Sequence, residues 1–154
     1  MAQETRLIVR KEINVRCSIE RAFEVFTSGI DGWWPKQSHS VGEGDCVSVE
    51  FEPHAGGRII EHDRDGSVCE WGRITAWDPP RRVAFTWHPG FDPAQAGDVD
   101  VRFRADGANT SVVLEHTGFE RRGADAAEMH RNYEPGWEYV FGTQYGEHAS
   151  RSAG

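Results

Sequence analysis

Gly56 to Trp87, GGRIIEHDRDGSVCEWGRITAWDPPRRVAFTW, is the stretch that decides the fold. It holds three apolar-rich segments with strand character, Arg58 to His62, Val68 to Trp77 and Val83 to Trp87. Turn signals part them. Gly56-Gly57 lets the backbone take positive φ, Asp65-Gly66 is a hairpin signal, and Asp78-Pro79-Pro80 is a firm stop. Segments this close along the chain pair as antiparallel strands. Gly72 interrupts the middle strand and marks a bulge, where a sheet bends.

Downstream, Val99, Val101 and Phe103 alternate with Asp100, Arg102 and Arg104, which predicts a strand with one buried and one wet face. Asp106-Gly107-Ala108-Asn109 is a turn, and Thr110 to His116 is the last strand. A helical segment follows from about Ala124 to Tyr133, and Pro135-Gly136 predicts a kink or a fresh start. Trp137, Val140, Phe141 and Tyr145 then form an apolar stripe, and the tail from His148 is expected to fray.

Upstream, Leu7 to Val15 reads as a strand. Ser18 is a candidate N-cap, Glu20 suits the first turn, and Ile19, Ala22, Phe23 and Phe26 make one apolar helix face closed by Gly29. Ile30 to Pro35 is a short turn or helix carrying Trp33 and Trp34. Neighbours on a helix diverge by about 100°, so one tryptophan is expected in the core and the other at a rim. Residues 36–45 read as a polar loop, and Val47, Val49 and Phe51 alternate on the next strand. The order is strand, one or two short helices, six strands, long helix. That pattern predicts a single α+β domain over residues 1–154, its curved antiparallel sheet wrapped around the C-terminal helix with a cavity between them.

Composition narrows the function. A net charge of -8 excludes non-specific phosphate binding and docking on an anionic membrane surface, because both need an excess of Lys and Arg. Cys17, Cys46 and Cys69 form no CxxC pair, so free thiols in a reducing cytoplasm are expected, with no disulfide or zinc ribbon. The first residues lack the apolar core of a signal peptide, and no apolar run is long enough to span a bilayer.

The run GGR at Gly56 to Arg58, WGRITAW at Trp71 to Trp77, DPPRRVAFTWH at Asp78 to His88, LEHTGFE at Leu114 to Glu120 and Gly136-Trp137 resembles the SRPBCC, or START-like, superfamily. DGWWP at Asp31 to Pro35 and FEPHAGG at Phe51 to Gly57 are similar to its branch named after the activator of the heat-shock protein 90 ATPase. The resemblance runs over about residues 6 to 148. It implies the helix-grip fold, an internal apolar cavity and a small-molecule ligand, but no single reaction. Relatives include lipid carriers, hormone receptors and polyketide cyclases. The branch name also implies a chaperone partner.

The sequence holds no G-x-S-x-G elbow, no H-E-x-x-H and no phosphate-binding glycine loop. No metal site and no cofactor are expected. Val112, Leu114 and His116 share one strand face, so His116 is either a cavity acid-base group or a core histidine held by a hydrogen bond. Glu61 and Glu70 lie within strands, and Glu70 shares a face with Gly72 and Ile74. Such carboxylates act on a ligand proton, or sit on a wet face paired with Arg58 or Arg73. Tyr133 completes the weak catalytic candidates.

The leading expectation is a protein that binds a small hydrophobic or aromatic molecule. Its expected lining is Phe23, Phe26, Phe51, Phe85, Trp87 and Phe103 from the first helix and sheet. Met129, Tyr133, Trp137 and Phe141 complete it from the last helix. The alternatives are a cyclase or hydrolase-like enzyme using the same cavity, and a chaperone-ATPase co-regulator. A homodimer through a strand edge or the Trp33-Trp34 pair is also open.

Overall fold

The computed structural model describes residues 7–151. Seven antiparallel strands form one curled sheet: β1 (Val9–Val15), β2 (Cys46–Phe51), β3 (Arg58–Asp63), β4 (Val68–Asp78), β5 (Arg82–Trp87), β6 (Gly97–Asp106) and β7 (Asn109–Thr117). Their spatial order is β1-β7-β6-β5-β4-β3-β2, so β2 to β7 form a meander and β1 closes onto β7. The first helix, α1 (Ile19–Phe26), precedes the meander, and α2 (Ala126–Trp137) follows it. This is the helix-grip α+β architecture expected from the strand order.

Local chemistry sets the elements. The Ser18 hydroxyl accepts from the Arg21 N–H at 3.2 Å and caps α1, whose Ala22, Phe23, Val25 and Phe26 are buried. Pro135 sits inside α2 without breaking it. Past Trp137 the helix widens into a π-helical stretch, Glu138–Tyr145, and then returns to α3 (Gly146–Arg151). Proline has no N–H to give and crowds the preceding turn, so the helical bond from position 135 to the carbonyl four residues earlier is missing. The tail is helical through Arg151, not frayed from His148; residues 152–154 lie outside the described residues.

The bulge lies at Trp71-Gly72. Ile59 pairs with Gly72 and Ile60 with Glu70, so Trp71 is an extra residue on β4. A Cβ at Gly72 would run into the Thr86 carbonyl, so only glycine fits that close approach. The extra residue shifts the alternation. Trp71 and Ile74 now share the buried side, and Glu70 is carried to a half-buried position, not inward beside Ile74.

The core is aromatic. Phe26 meets Trp33 at 5.5 Å, Phe103 at 6.0 Å, Phe141 at 6.3 Å and Tyr145 at 5.2 Å between ring centroids. Phe23 packs on Trp77 and Phe103, and Phe51 packs on Phe85. The Tyr145 hydroxyl donates to the Ala22 carbonyl at 2.7 Å, tying the C-terminal helical segment to α1. Lys11 on β1 bridges Glu134 and Glu138 at 3.0 and 3.2 Å, fixing the same segment to the sheet edge.

Trp33 and Trp34 diverge as neighbours on a helical turn must, yet both are buried, so neither lies at a rim. Trp33 donates to the Val25 carbonyl at 2.7 Å and packs on Phe26 and Tyr145. Trp34 donates to the His39 carbonyl at 2.8 Å and meets Trp71, Trp87 and Trp137.

Candidate ligand cavity

A cavity of about 360 Å³ opens where the end of β5, the last turn of α2 and the 36–45 loop converge. Trp34, Trp87 and Trp137 form its wall, with Val140, Tyr133 and Gly136 from the helix and Pro89 and Gly90 from the β5 exit. His39, Ser40 and Val41 cover it from the loop. Its size falls within the ~300–1,000 Å³ typical of small-molecule sites. Trp87 and Trp137 lie 5.4 Å apart and Trp34 and Trp87 5.8 Å apart, so their rings form a continuous aromatic surface.

Polar groups in this wall are few. The Trp87 indole Nε1 is buried and has no hydrogen-bond partner among the described residues. The Tyr133 hydroxyl feels that N–H, but the pair does not reach hydrogen-bond geometry. Burial pushes the Tyr133 phenol up to about 12, so it stays a protonated donor at pH 7. His39 is exposed on the loop, and the desolvation it meets there pushes its pKa below the ordinary histidine range, which favours the neutral form that can accept a proton. The His39 ring rests 5.3 Å from Tyr139, and its Nδ1 is 2.7 Å from the Ser38 hydroxyl.

The ten side chains expected to line a cavity divide. Trp87, Tyr133 and Trp137 line the space described above. Phe23, Phe26, Phe51, Phe85, Phe103 and Phe141 interlock in the solid core and do not reach it. Met129 faces a second, water-sized space of about 10 Å³ beside His116, Phe119 and Tyr133.

His116 is inward, as its strand face implies, and takes the core-histidine arrangement. Its Nδ1 accepts the Trp137 indole N–H at 3.0 Å, and Phe119 and Tyr133 pack on the ring at 4.4 and 4.7 Å. Burial, with a smaller contribution from His130, lowers its pKa to about 3. It is neutral at physiological pH and acts by holding Trp137 in the cavity wall. Glu70 pairs with Arg73 at 3.0 Å and lies 3.3 Å from the buried His88, one residue before the Pro89-Gly90 wall.

Glu61 departs most from the expectation of a wet or Arg-paired carboxylate. It is fully buried, and Arg58 pairs instead with Glu52. One Glu61 oxygen accepts the Val41 N–H at 2.7 Å and the Trp71 indole N–H at 3.0 Å. The other accepts the Gly42 N–H at 2.7 Å. Burial alone would raise its pKa, but these donors and a hydrogen bond from Asp63 outweigh burial and hold it below the usual range. Glu61 thus fastens the cavity's covering loop and the Trp71 ring behind Trp34 and Trp87. The sequence carries no signal for this arrangement, because the Val41 and Gly42 donors lie 20 and 19 positions upstream.

Cys46 Sγ and carboxylate oxygens of Glu61 and Asp63 lie within 4.8 Å of one another. Three N–H donors, from Val41, Gly42 and Trp71, also point at the Glu61 carboxylate. The three cysteines are free.

A curled antiparallel sheet packed around a C-terminal helix is the architecture of the SRPBCC class. The chain belongs to the family described as Activator of Hsp90 ATPase homolog 1-like protein, whose model matches residues 16–144. It is 36% identical to a solved structure of an anthrahydroquino-gamma-pyrone synthase, Txn09, covering 96% of this chain and 99% of that one with a TM-score of 0.63. It is 26% identical to the self-sacrificing resistance protein CalC from Micromonospora echinospora, covering 95% and 96% with a TM-score of 0.72. A protein from Mesorhizobium loti, at 18% identity and a TM-score of 0.67 over 94% and 98%, shares the fold. No curated protein matches the chain. No helix among the described residues is long and apolar enough to cross a membrane.

Proposed function

We propose that the protein binds a flat, oxygen-bearing polycyclic aromatic molecule in the cavity walled by Trp34, Trp87 and Trp137. The carrying observation is this triple-indole surface with an unpaired buried N–H on Trp87. Indole faces favour stacking on flat rings, and an unpaired N–H favours a carbonyl or phenol oxygen on the ligand. The Tyr133 hydroxyl supplies a second donor for such an oxygen. The likeness to a synthase that makes an anthrahydroquino-gamma-pyrone supports the same ligand class.

That likeness also supports a second reading, closure of an oxygen heterocycle on the bound aromatic. The phenol oxygen would add to the β-carbon of an enone on the same molecule: neutral His39 would take the phenol proton, the C=C π electrons would pass to the carbonyl oxygen hydrogen-bonded by Tyr133, and His39 would return the proton to the α-carbon.

The test is a tryptophan-fluorescence titration with 1,8-dihydroxyanthraquinone. At about 0.3 kcal/mol per heavy atom over about 18 atoms, binding is worth about 5 kcal/mol, a Kd on the order of 0.1 mM or tighter. Saturable quenching that weakens at least about fivefold in Trp87→Ala is expected from the loss of one ring and one donor. Quenching that is linear to the solubility limit, or unchanged in the variant, would overturn the proposal.

A further inference from the structure

We infer that Glu61 and Asp63 form a proton-operated latch on the 36–45 loop, closing the cavity when the two carboxyl groups share a proton and releasing it when both are ionised. The inference concerns regulation of the proposed binding cavity and rests on that reading only for its consequence, ligand exchange. The latch itself rests on geometry.

Glu61 is fully buried on β3, and the loop reaches it through two adjacent backbone N–H groups, those of Val41 and Gly42, both at 2.7 Å. The same stretch supplies His39, Ser40 and Val41 to the cavity. Asp63 stands on the same strand face two residues on, and Gly42 packs directly against it: a Cβ at Gly42 would lie 2.7 Å from either Asp63 carboxylate oxygen. Asp63 Oδ1 is buried and receives no N–H or O–H donor from the protein. A buried acceptor without a donor, beside a buried carboxylate, is satisfied when Asp63 carries a proton and donates it to Glu61.

Among the described residues, no cation pairs with Asp63. The groups around Asp63 are Glu61 on its own strand, Asp65 in the hairpin turn and Asp45 in the 3-10 turn before β2. Thiols of Cys46 on β2 and Cys69 on β4 complete the set, and burial pushes both up and keeps them neutral. Lys36 in the loop is held by Asp31 at 2.9 Å. The hydrogen bond to Glu61, burial, and repulsion from Glu61, Asp65 and Asp45 together raise Asp63 to about 6.

The sign follows by linkage. Asp63 binds its proton more tightly in the closed state than in the open one, where it approaches the ordinary aspartate value. Closing therefore takes up a proton, and the closed state loses stability as pH rises toward and through about 6. Glu61 works in the opposite sense: its ionised form is the one that holds the loop, so the latch also fails in strong acid, as pH falls through its lowered pKa. The closed window lies between these limits. Asp63 is partly exposed, which screens the repulsion, so the expected change in loop opening from pH 5 to pH 8 is about tenfold.

Hydrogen exchange tests the latch without a ligand. Exchange of the peptide spanning residues 36–45 is measured by mass spectrometry at pH 5 and pH 8, corrected for the intrinsic pH dependence, in wild type and Asp63→Asn. The asparagine amide donates to Glu61 at every pH and cannot ionise. Wild type is expected to lose about tenfold protection at pH 8, and Asp63→Asn to keep it. Equal wild-type protection at both pH values, or an equal loss in the variant, would overturn the latch. So would a loss of protection at pH 5 on adding EDTA, which would make a cation the bridging species. In parallel, stopped-flow release of 1,8-dihydroxyanthraquinone is expected to quicken about tenfold at pH 8 in wild type alone. Switching exchange with no probe binding would sink the cavity proposal and leave the latch standing; flat exchange with normal probe binding would do the reverse.

Discussion

Replacing Glu61 by Gln perturbs the loop anchor with the least change of shape. In the wild type an ionised carboxylate accepts three N–H groups, from Val41, Gly42 and Trp71. An amide has one oxygen, so its NH₂ must face at least one of those donors, and the charge that strengthens the remaining bonds is gone. A buried donor left unsatisfied costs about 1–3 kcal/mol, and the weakened charged bonds add to it. The comparison is made at pH 5, inside the closed window, where Asp63 carries its proton and Glu61 is ionised. The expected net loss is about 2–4 kcal/mol at that pH. In urea, with a slope of about 1–3 kcal/mol per molar for a small domain, the midpoint falls by roughly 1–2 M. The assay is urea unfolding followed by tryptophan fluorescence, with hydrogen exchange of residues 36–45 on the same samples. A midpoint shift worth less than about 0.5 kcal/mol, with the loop still protected, would refute the assignment of Glu61 as the loop's anchor.

Three further outcomes are expected. Gly72→Ala drives a methyl into the Thr86 carbonyl and should cost at least about 2 kcal/mol or abolish soluble expression; a thermal midpoint within about 2 °C of wild type would show that the bulge relaxes freely. His116→Phe orphans the Trp137 indole N–H and should destabilise by about 1–3 kcal/mol at pH 7. Because folded His116 protonates only near 3 while an unfolded histidine does so near 6.5, wild-type stability falls as pH drops below about 6.5, by on the order of 1 kcal/mol per unit, and the variant should lose that slope. Tyr145→Phe removes the bond to the Ala22 carbonyl and should cost about 1 kcal/mol in urea unfolding without altering probe binding; a change in Kd would mean that this residue communicates with the cavity.

The meander, the cap on α1 and the helical stripe were legible because each is a local pattern. Val99, Val101 and Phe103 alternate, Ser18 stands where an N-cap is needed, and Trp137, Val140, Phe141 and Tyr145 all bury as their spacing requires. Gly72 announced a bulge, but not that Trp71 would be the extra residue. One residue of phase moved Glu70 off the inner face. The cavity was harder. Whether an aromatic fills or lines depends on where the last helix crosses the sheet, a long-range property that no window of sequence encodes. Six phenylalanines consequently fill, while Trp34 and the covering loop line. The sequence leaves Glu61 either a cavity carboxylate or a surface group because its loop donors lie about twenty residues upstream, in a segment whose polar composition gives no sign of where it folds.

The most direct test of the central claim is the indole N–H region of an ¹⁵N–¹H correlation spectrum during titration with 1,8-dihydroxyanthraquinone, with the six tryptophan signals assigned by substitution. The account predicts that Trp34, Trp87 and Trp137 shift on saturation, with Trp87 moving most because its free N–H gains an acceptor, while Trp77, half-buried against Phe23 and Phe51 and outside the cavity lining, stays in place. Shifts confined to Trp77, or six unmoved signals at saturating probe, would contradict it.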